Sequence, residues 1–231
     1  MAPGRPALCL IPARGGSKRV PGKNVRDFCG KPMIGWSVEA ALAAGCFTRV
    51  VVSTDDDRIA AVARAAGAEV PFARPPHLAD DHATTLAVVR HALDALEADG
   101  ALPDALCCLY ATAPFVRARD LRAGAGALRG ADFAMAVTRY AFPIQRAVRI
   151  NAARHLEMFH PERYATRSQD LEEALHDAGQ FYWGTVTAWR RDLPFFSQRV
   201  APIELPRWRV QDIDTPEDWT QAEALFRALG A

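Results

Sequence analysis

The stretch Ala7-Leu8-Cys9-Leu10-Ile11-Pro12-Ala13-Arg14-Gly15-Gly16-Ser17-Lys18-Arg19-Val20-Pro21-Gly22-Lys23-Asn24 joins an unbroken apolar run to a loop dense in cations. The run from Ala7 to Ile11 has no polar residue and is bounded by Pro12, which matches a strand buried on both faces of a parallel sheet. Open α/β sheets bind ligands at the carboxyl ends of their strands, so the loop after this first strand is the expected site. Gly15 and Gly16 permit positive backbone dihedrals that turn N–H groups toward an anion, and Arg14, Lys18, Arg19 and Lys23 add full charges with no acidic residue among them. The pattern reads as a grip for a polyphosphate. Its rival, a merely solvated basic turn, is disfavoured by the position. Neither the Gly-Lys-Ser/Thr ending of a Walker A loop nor the Gly-x-Gly-x-x-Gly dinucleotide pattern is present.

Outward from this loop, strand and helix patterns alternate. Ile34, Val38, Ala41 and Leu42 recur at helical spacing up to Gly45, and Arg49 to Asp55 is a β-branched run leading into a helix over 59–66. The triplet Asp55-Asp56-Asp57 suits a helix cap at least as well as a metal. Ala68 to Phe72 reads as a short strand, Thr84 onward as a helix with Leu86, Val89, Leu93 and Leu96 on one face, Ala105 to Tyr110 as a buried strand, 121–128 as a helix and Phe133 to Thr138 as a strand. The rhythm breaks between Tyr140 and Asp177, where prolines, arginines and a helical patch from Gln169 to Leu175 indicate an insertion serving as a lid or a dimer arm. Gln180 to Val186 and Arg209 to Asp214 read as further strands, and a closing helix starts with Thr215 as cap and Pro216 at its first position. Right-handed strand–helix alternation predicts one α/β domain over 1–231, doubly wound in three layers, with an insertion at about 140–178.

Composition narrows the partners. A net charge of +1 over 231 residues is too balanced for nucleic-acid or membrane binding, which leaves a small anion. No apolar run is long enough to cross a bilayer, and the first six residues lack the core of a signal peptide, so the expected compartment is the cytoplasm. The 5 cysteines form no Cys-x-x-Cys pair. A disulfide framework and a zinc site are therefore not expected, and Cys29 is read as structural.

In Asp212-Ile213-Asp214, strand alternation places both carboxylates on one face at a carboxyl end. Such a pair shares a hard cation or, alternatively, caps a helix and pairs with an arginine. The polyphosphate loop favours the first, because Mg²⁺ takes one or two carboxylates with waters and substrate phosphates. Loop and pair together describe nucleotidyl transfer, in which an acceptor hydroxyl attacks an α-phosphorus and pyrophosphate leaves. A non-catalytic nucleotide-binding module is the distant alternative.

Residues 11–24, with Phe28-Cys29-Gly30-Lys31-Pro32-Met33-Ile34, Ser53-Thr54-Asp55, Arg74-Pro75, Thr166-Arg167-Ser168-Gln169-Asp170 and Asp212-Ile213-Asp214-Thr215, resemble the CMP-sialic acid synthetases (acylneuraminate cytidylyltransferases) over essentially the whole chain. The resemblance implies a Rossmann-like nucleotide-diphospho-sugar transferase fold, CTP as donor, a nonulosonic acid as acceptor, Mg²⁺ and a homodimer built on the late insertion. By position it implies Ala13, Arg14, Gly15, Gly16, Ser17, Lys18, Lys23, Asn24 and Arg74 on CTP. Arg14 and Lys23 would be catalytic together with the metal ligands Asp212 and Asp214. Arg167, Gln169, Gln180 and Tyr182 would meet the sugar. Two departures stand out: Ala111 replaces an expected amide, and His176 stands where the family has an arginine. With Phe142-Pro143-Ile144-Gln145-Arg146 and Glu157-Met158-Phe159, they resemble the branch acting on pseudaminic acid, a deoxygenated, doubly amidated acid, more than that acting on N-acetylneuraminate. Legionaminic acid and Kdo are the alternative acceptors. A small apolar Ala111 near Phe181, Tyr182 or Trp183 would suit a methyl group.

Overall fold

The structure is a computed structural model and describes residues 7–98, 100, 102–191 and 193–230. In chain order its strands and helices are β1 (Ala7–Pro12), β2 (Asp27–Phe28), β3 (Lys31–Pro32), α1 (Met33–Ala44), β4 (Arg49–Ser53), α2 (Asp57–Ala65), α3 (Thr85–Glu97), β5 (Ala105–Leu109), α4 (Ala118–Ala127), β6 (Phe133–Arg139), β7 (Val148–Ile150), β8 (Leu156–Met158), β9 (Leu175–Thr185), α5 (Val186–Arg190), β10 (Val200–Glu204) and α6 (Pro216–Ala228). The main sheet runs β10-β6-β9-β5-β1-β4 among the described residues. Every neighbouring pair in it is parallel except those of β9, which lies antiparallel between β5 and β6.

The two-sided burial expected of β1 is observed. Ala7, Cys9 and Ile11 face a core shared with α1, α2 and α4, while Leu8 and Leu10 face one shared with α3 and α5. That places helices on both faces, in three layers. A third cluster packs α6 through Trp219 and Phe226 onto Val20, Phe28 and Met33, so the middle of the basic loop is anchored by a fully buried valine. Glycine allows one close approach: a Cβ on Gly124 of α4 would lie 2.3 Å from the Trp183 ring.

Several local expectations change. Ala68 to Phe72 makes only an isolated pairing, Val51 with Glu69, beside a second at Thr54 and Ala73. Leu42, expected inward, is 47% exposed. The helical patch at 169–175 is one short 3-10 turn, Ser168–Asp170, because Leu175 already begins β9. Arg209 to Asp214 is not a strand. Arg209 ends a 3-10 turn with its guanidinium buried against Asp120 (2.5 and 3.1 Å), which bends the chain away from the sheet. The edge position belongs instead to β10, where Pro202 is tolerated at an edge strand.

Candidate active site

The basic loop leaves β1 at the carboxyl edge of the sheet and is held by neighbours from several segments. Ala13 continues the pairing through its N–H to the Ser53 carbonyl (2.9 Å), the Gly15 N–H donates to Asp55 Oδ1 (2.9 Å), and the Asn24 amide donates to the Arg14 carbonyl (2.9 Å). Asp56, next in the acidic triplet, caps α2 by accepting from the Arg58 and Ile59 N–H groups. The triplet therefore braces the loop and starts a helix. Gly15 and Gly16 do not take positive φ; in the loop that conformation belongs to Gly22 (φ 63). What demands glycine at 15 is space, since a Cβ there would sit 2.8 Å from Asp56 Oδ2, whereas nothing crowds Gly16.

Arg14, Ser17, Lys18, Lys23 and Asn24 border a cavity of about 670 Å³ with Arg74, Tyr110, Ala111 and Asp214. Arg74 is almost fully buried, bonded to the Ser53 hydroxyl (3.1 Å), and desolvation lowers its pKa. The loop's cations are not free of carboxylates in space. Asp81 reaches Arg14 (2.7 Å) and Lys18 (2.6 Å), Asp214 reaches Arg19 (2.8 Å) and Lys23 (3.3 Å), and Lys23 also donates to the Ile213 carbonyl (2.7 Å). Lys18 and Arg14 hold the Asp81 carboxyl below the ordinary range. Asp212 stands beside the cavity rather than on it; partial burial, then the charge of Asp214, push its carboxyl up, and Lys23 opposes them.

A second cavity, of about 390 Å³, adjoins the first through Thr85 and Tyr110. Tyr182 and Asp177 border it with Met135, Phe195 and Phe196. The Tyr182 hydroxyl donates to Asp177, and the Tyr110 and Thr85 hydroxyls lie 3.3 Å apart. Burial raises the pKa of Tyr182 above that of an ordinary phenol, with Tyr110 and Asp177 adding to it. Ala111 lines the first cavity, not the second, and Phe181 and Trp183 face the opposite core, so they cannot contact a group beside Tyr182.

Among the other expected residues, Gln180 is buried and donates to the Arg209 carbonyl (2.6 Å), away from both cavities. Arg167 is exposed and paired with Asp170 (2.8 Å), and neither it nor Gln169 borders a cavity of its own chain. The thiol of Cys29 is raised by burial, in keeping with a structural role. Asp81, Tyr110, Asp177, Phe195 and Phe196 were not anticipated from sequence. The Phe-Phe pair after Pro194, of which Phe196 is exposed, is the one local signal among them.

A cationic loop, a buried arginine and an acidic residue around one cavity suit a nucleoside triphosphate. Comparison with known proteins agrees: residues 8–225 match the family model described as Cytidylyltransferase. The chain belongs to that cytidylyltransferase family. It is a nucleotidyltransferase by that membership. It is 44% identical to a pseudaminic acid cytidylyltransferase of Campylobacter jejuni over 95% of this chain and 96% of that one. It is 32% identical to a CMP-N,N'-diacetyllegionaminic acid synthase of Legionella pneumophila over 95% of each. A solved CMP:2-keto-3-deoxy-manno-octonic acid synthetase complexed with CTP superposes with a TM-score of 0.73 at 22% identity, covering 97% of this chain and 99% of that one, which speaks to fold alone.

Proposed function

We propose that this cytidylyltransferase joins CMP from CTP to the anomeric hydroxyl of pseudaminic acid, releasing pyrophosphate. The observation that carries the proposal is the adjacency of two unlike cavities, one cationic and one largely apolar. The loop cations take the triphosphate. Asp81 and Asp214 pair with those cations before the nucleotide arrives and give way to its phosphates. The acceptor enters the second cavity, with Tyr110 at the junction. Its anomeric oxygen attacks the α-phosphorus, the bond to the β-phosphate oxygen breaks, and Lys23 neutralises charge growing on the departing pyrophosphate.

The donor set of Asp212 and Asp214 fits Mg²⁺. Both offer oxygen only, and burial first, then the charge of Asp214, push the Asp212 carboxyl up; a divalent cation would relieve the repulsion between the two. When bound, the ion supplies charge neutralisation to the phosphates. The proposed assembly is a homodimer: Arg167 and Gln169, remote from their own cavities, would serve a second copy, carried there by an insertion that exposes Ile150, Leu156 and Phe159. No helix is long and apolar enough to cross a membrane among the described residues, and the reading places the reaction in the cytoplasm.

The test is product identity. Purified protein, CTP, Mg²⁺ and pseudaminic acid should yield pyrophosphate and a CMP-sugar identified by mass. CTP binding without turnover on pseudaminic acid, N-acetylneuraminate, legionaminic acid or Kdo would make the chain a nucleotide-binding module.

A further inference from the structure

Where β9 passes β6, Met135 pairs with Tyr182 but Val137 pairs with Asp177, so the one residue Ala136 stands opposite residues 178–181. In a regular strand Asp177 and Tyr182 would be about 16 Å apart. The bulge, turned by Gly179 at φ 61, folds the strand back until the Tyr182 hydroxyl donates to one Asp177 oxygen. The other oxygen accepts the Gly179 N–H at 2.8 Å. Bulges of this kind re-aim a side chain, and this one fixes a carboxylate at the edge of the second cavity.

An ionised carboxylate only accepts hydrogen bonds, and each oxygen keeps capacity beyond the bond it already makes. The wall beside it is apolar, formed by Met135, Leu193, Phe195 and Phe196, while Arg191 on the same cavity is engaged by Asp132 (3.3 Å). Charge then sets the direction of an acidic acceptor. Its carboxylate end belongs away from Asp177, toward the junction at Tyr110 where the first cavity begins, because like charges repel.

We infer that Asp177 is a specificity-determining residue for the acceptor, taking the N–H of an acylamino substituent at the end remote from the acceptor's carboxylate, with the acyl methyl lying on Phe195 and Phe196. This rests on the proposed nonulosonic acid reading. An amide N–H has no lone pair to satisfy, so an acceptor-only partner completes it. A hydroxyl at the same place could also donate to Asp177, but it brings no acyl methyl to cover Phe195 and Phe196.

The test compares wild type and Asp177→Ala on pseudaminic acid and N-acetylneuraminate, with CTP affinity measured calorimetrically on both proteins. Asp177→Ala is expected to bind CTP as wild type does. Its kcat/KM for pseudaminic acid should fall about ten- to a hundredfold, mainly through KM, as for loss of a hydrogen bond to a charged group. For N-acetylneuraminate the change should stay below about threefold. An unchanged kcat/KM for pseudaminic acid, an equal fall for both acids, or a matching loss of CTP affinity overturns the inference while leaving the acceptor reading standing. A wild-type enzyme idle with pseudaminic acid overturns that reading and the inference together.

Discussion

Lys23 closes the basic loop with its ammonium on the Ile213 carbonyl and within 3.3 Å of Asp214, a carboxylate contributed from the far end of the chain. No scan of the loop's own neighbourhood would have found that partner. In the proposed reaction this charge matters most when pyrophosphate departs. Lys23→Ala should lower kcat by about two to three decades while changing CTP affinity far less, read from steady-state kinetics and CTP titration. A raised KM with unchanged kcat would make Lys23 a plain binding residue. Asp81 acts in the opposite sense, since its carboxylate occupies Arg14 and Lys18 where phosphate oxygens would sit. Asp81→Ala should tighten CTP binding by about two- to fivefold, the scale of exposed ion pairs. Weaker binding would mean that Asp81 supports the nucleotide itself.

At the scale of elements, α6 is a case where sequence and structure agree because the signal is local. Thr215 accepts the Asp218 N–H (3.2 Å), and Asp218 accepts from the N–H groups of Thr215 (2.8 Å) and Asp214 (3.1 Å). The cap thus also holds the backbone of the proposed metal-binding segment. Asp218→Ala removes the N3 half of the capping box and should lower the urea midpoint of unfolding. The native bonds, led by that from the Thr215 hydroxyl, depress the Asp218 carboxyl. Its contribution is therefore present above its unfolded pKa of about 3.9 and lost as pH falls through the folded value, so the gap between variant and wild type should shrink below about pH 4. A gap independent of pH would deny the carboxylate its part.

β1, α1, α3 and β6 were legible for the same reason, in that their apolar periodicity reports burial on the spot. β10 was not, because an edge strand holding a proline and alternating with exposed residues carries a weak pattern. Arg209 to Asp214 looked more strand-like, but a long-range ion pair with Asp120 decided its course. The basic loop and Asp214 were legible as charge in context, and the structure brings them to one cavity. The second cavity was not legible, since Tyr110, Asp177 and Phe195 come together only through the β9 bulge and sheet order.

Among the described residues, the segment between β6 and β9 exposes an apolar face, with Ile150 58% and Leu156 71% exposed. A homodimer seated on this hairpin would cover it and bring Arg167 toward a second copy's cavity. Ile150→Asp with Leu156→Asp should convert a dimer to a folded monomer of much reduced activity, seen by sedimentation velocity and circular dichroism. An unchanged dimer, or a fully active monomer, would remove the insertion from that role. The most direct test of the proposed acceptor is kcat/KM of the wild-type protein for pseudaminic acid and N-acetylneuraminate, at saturating CTP and Mg²⁺. A largely apolar second cavity should favour pseudaminic acid by at least about tenfold, since each buried hydroxyl left without a partner costs roughly 1–3 kcal/mol. Comparable efficiency with both acids, or a preference for N-acetylneuraminate, would contradict it.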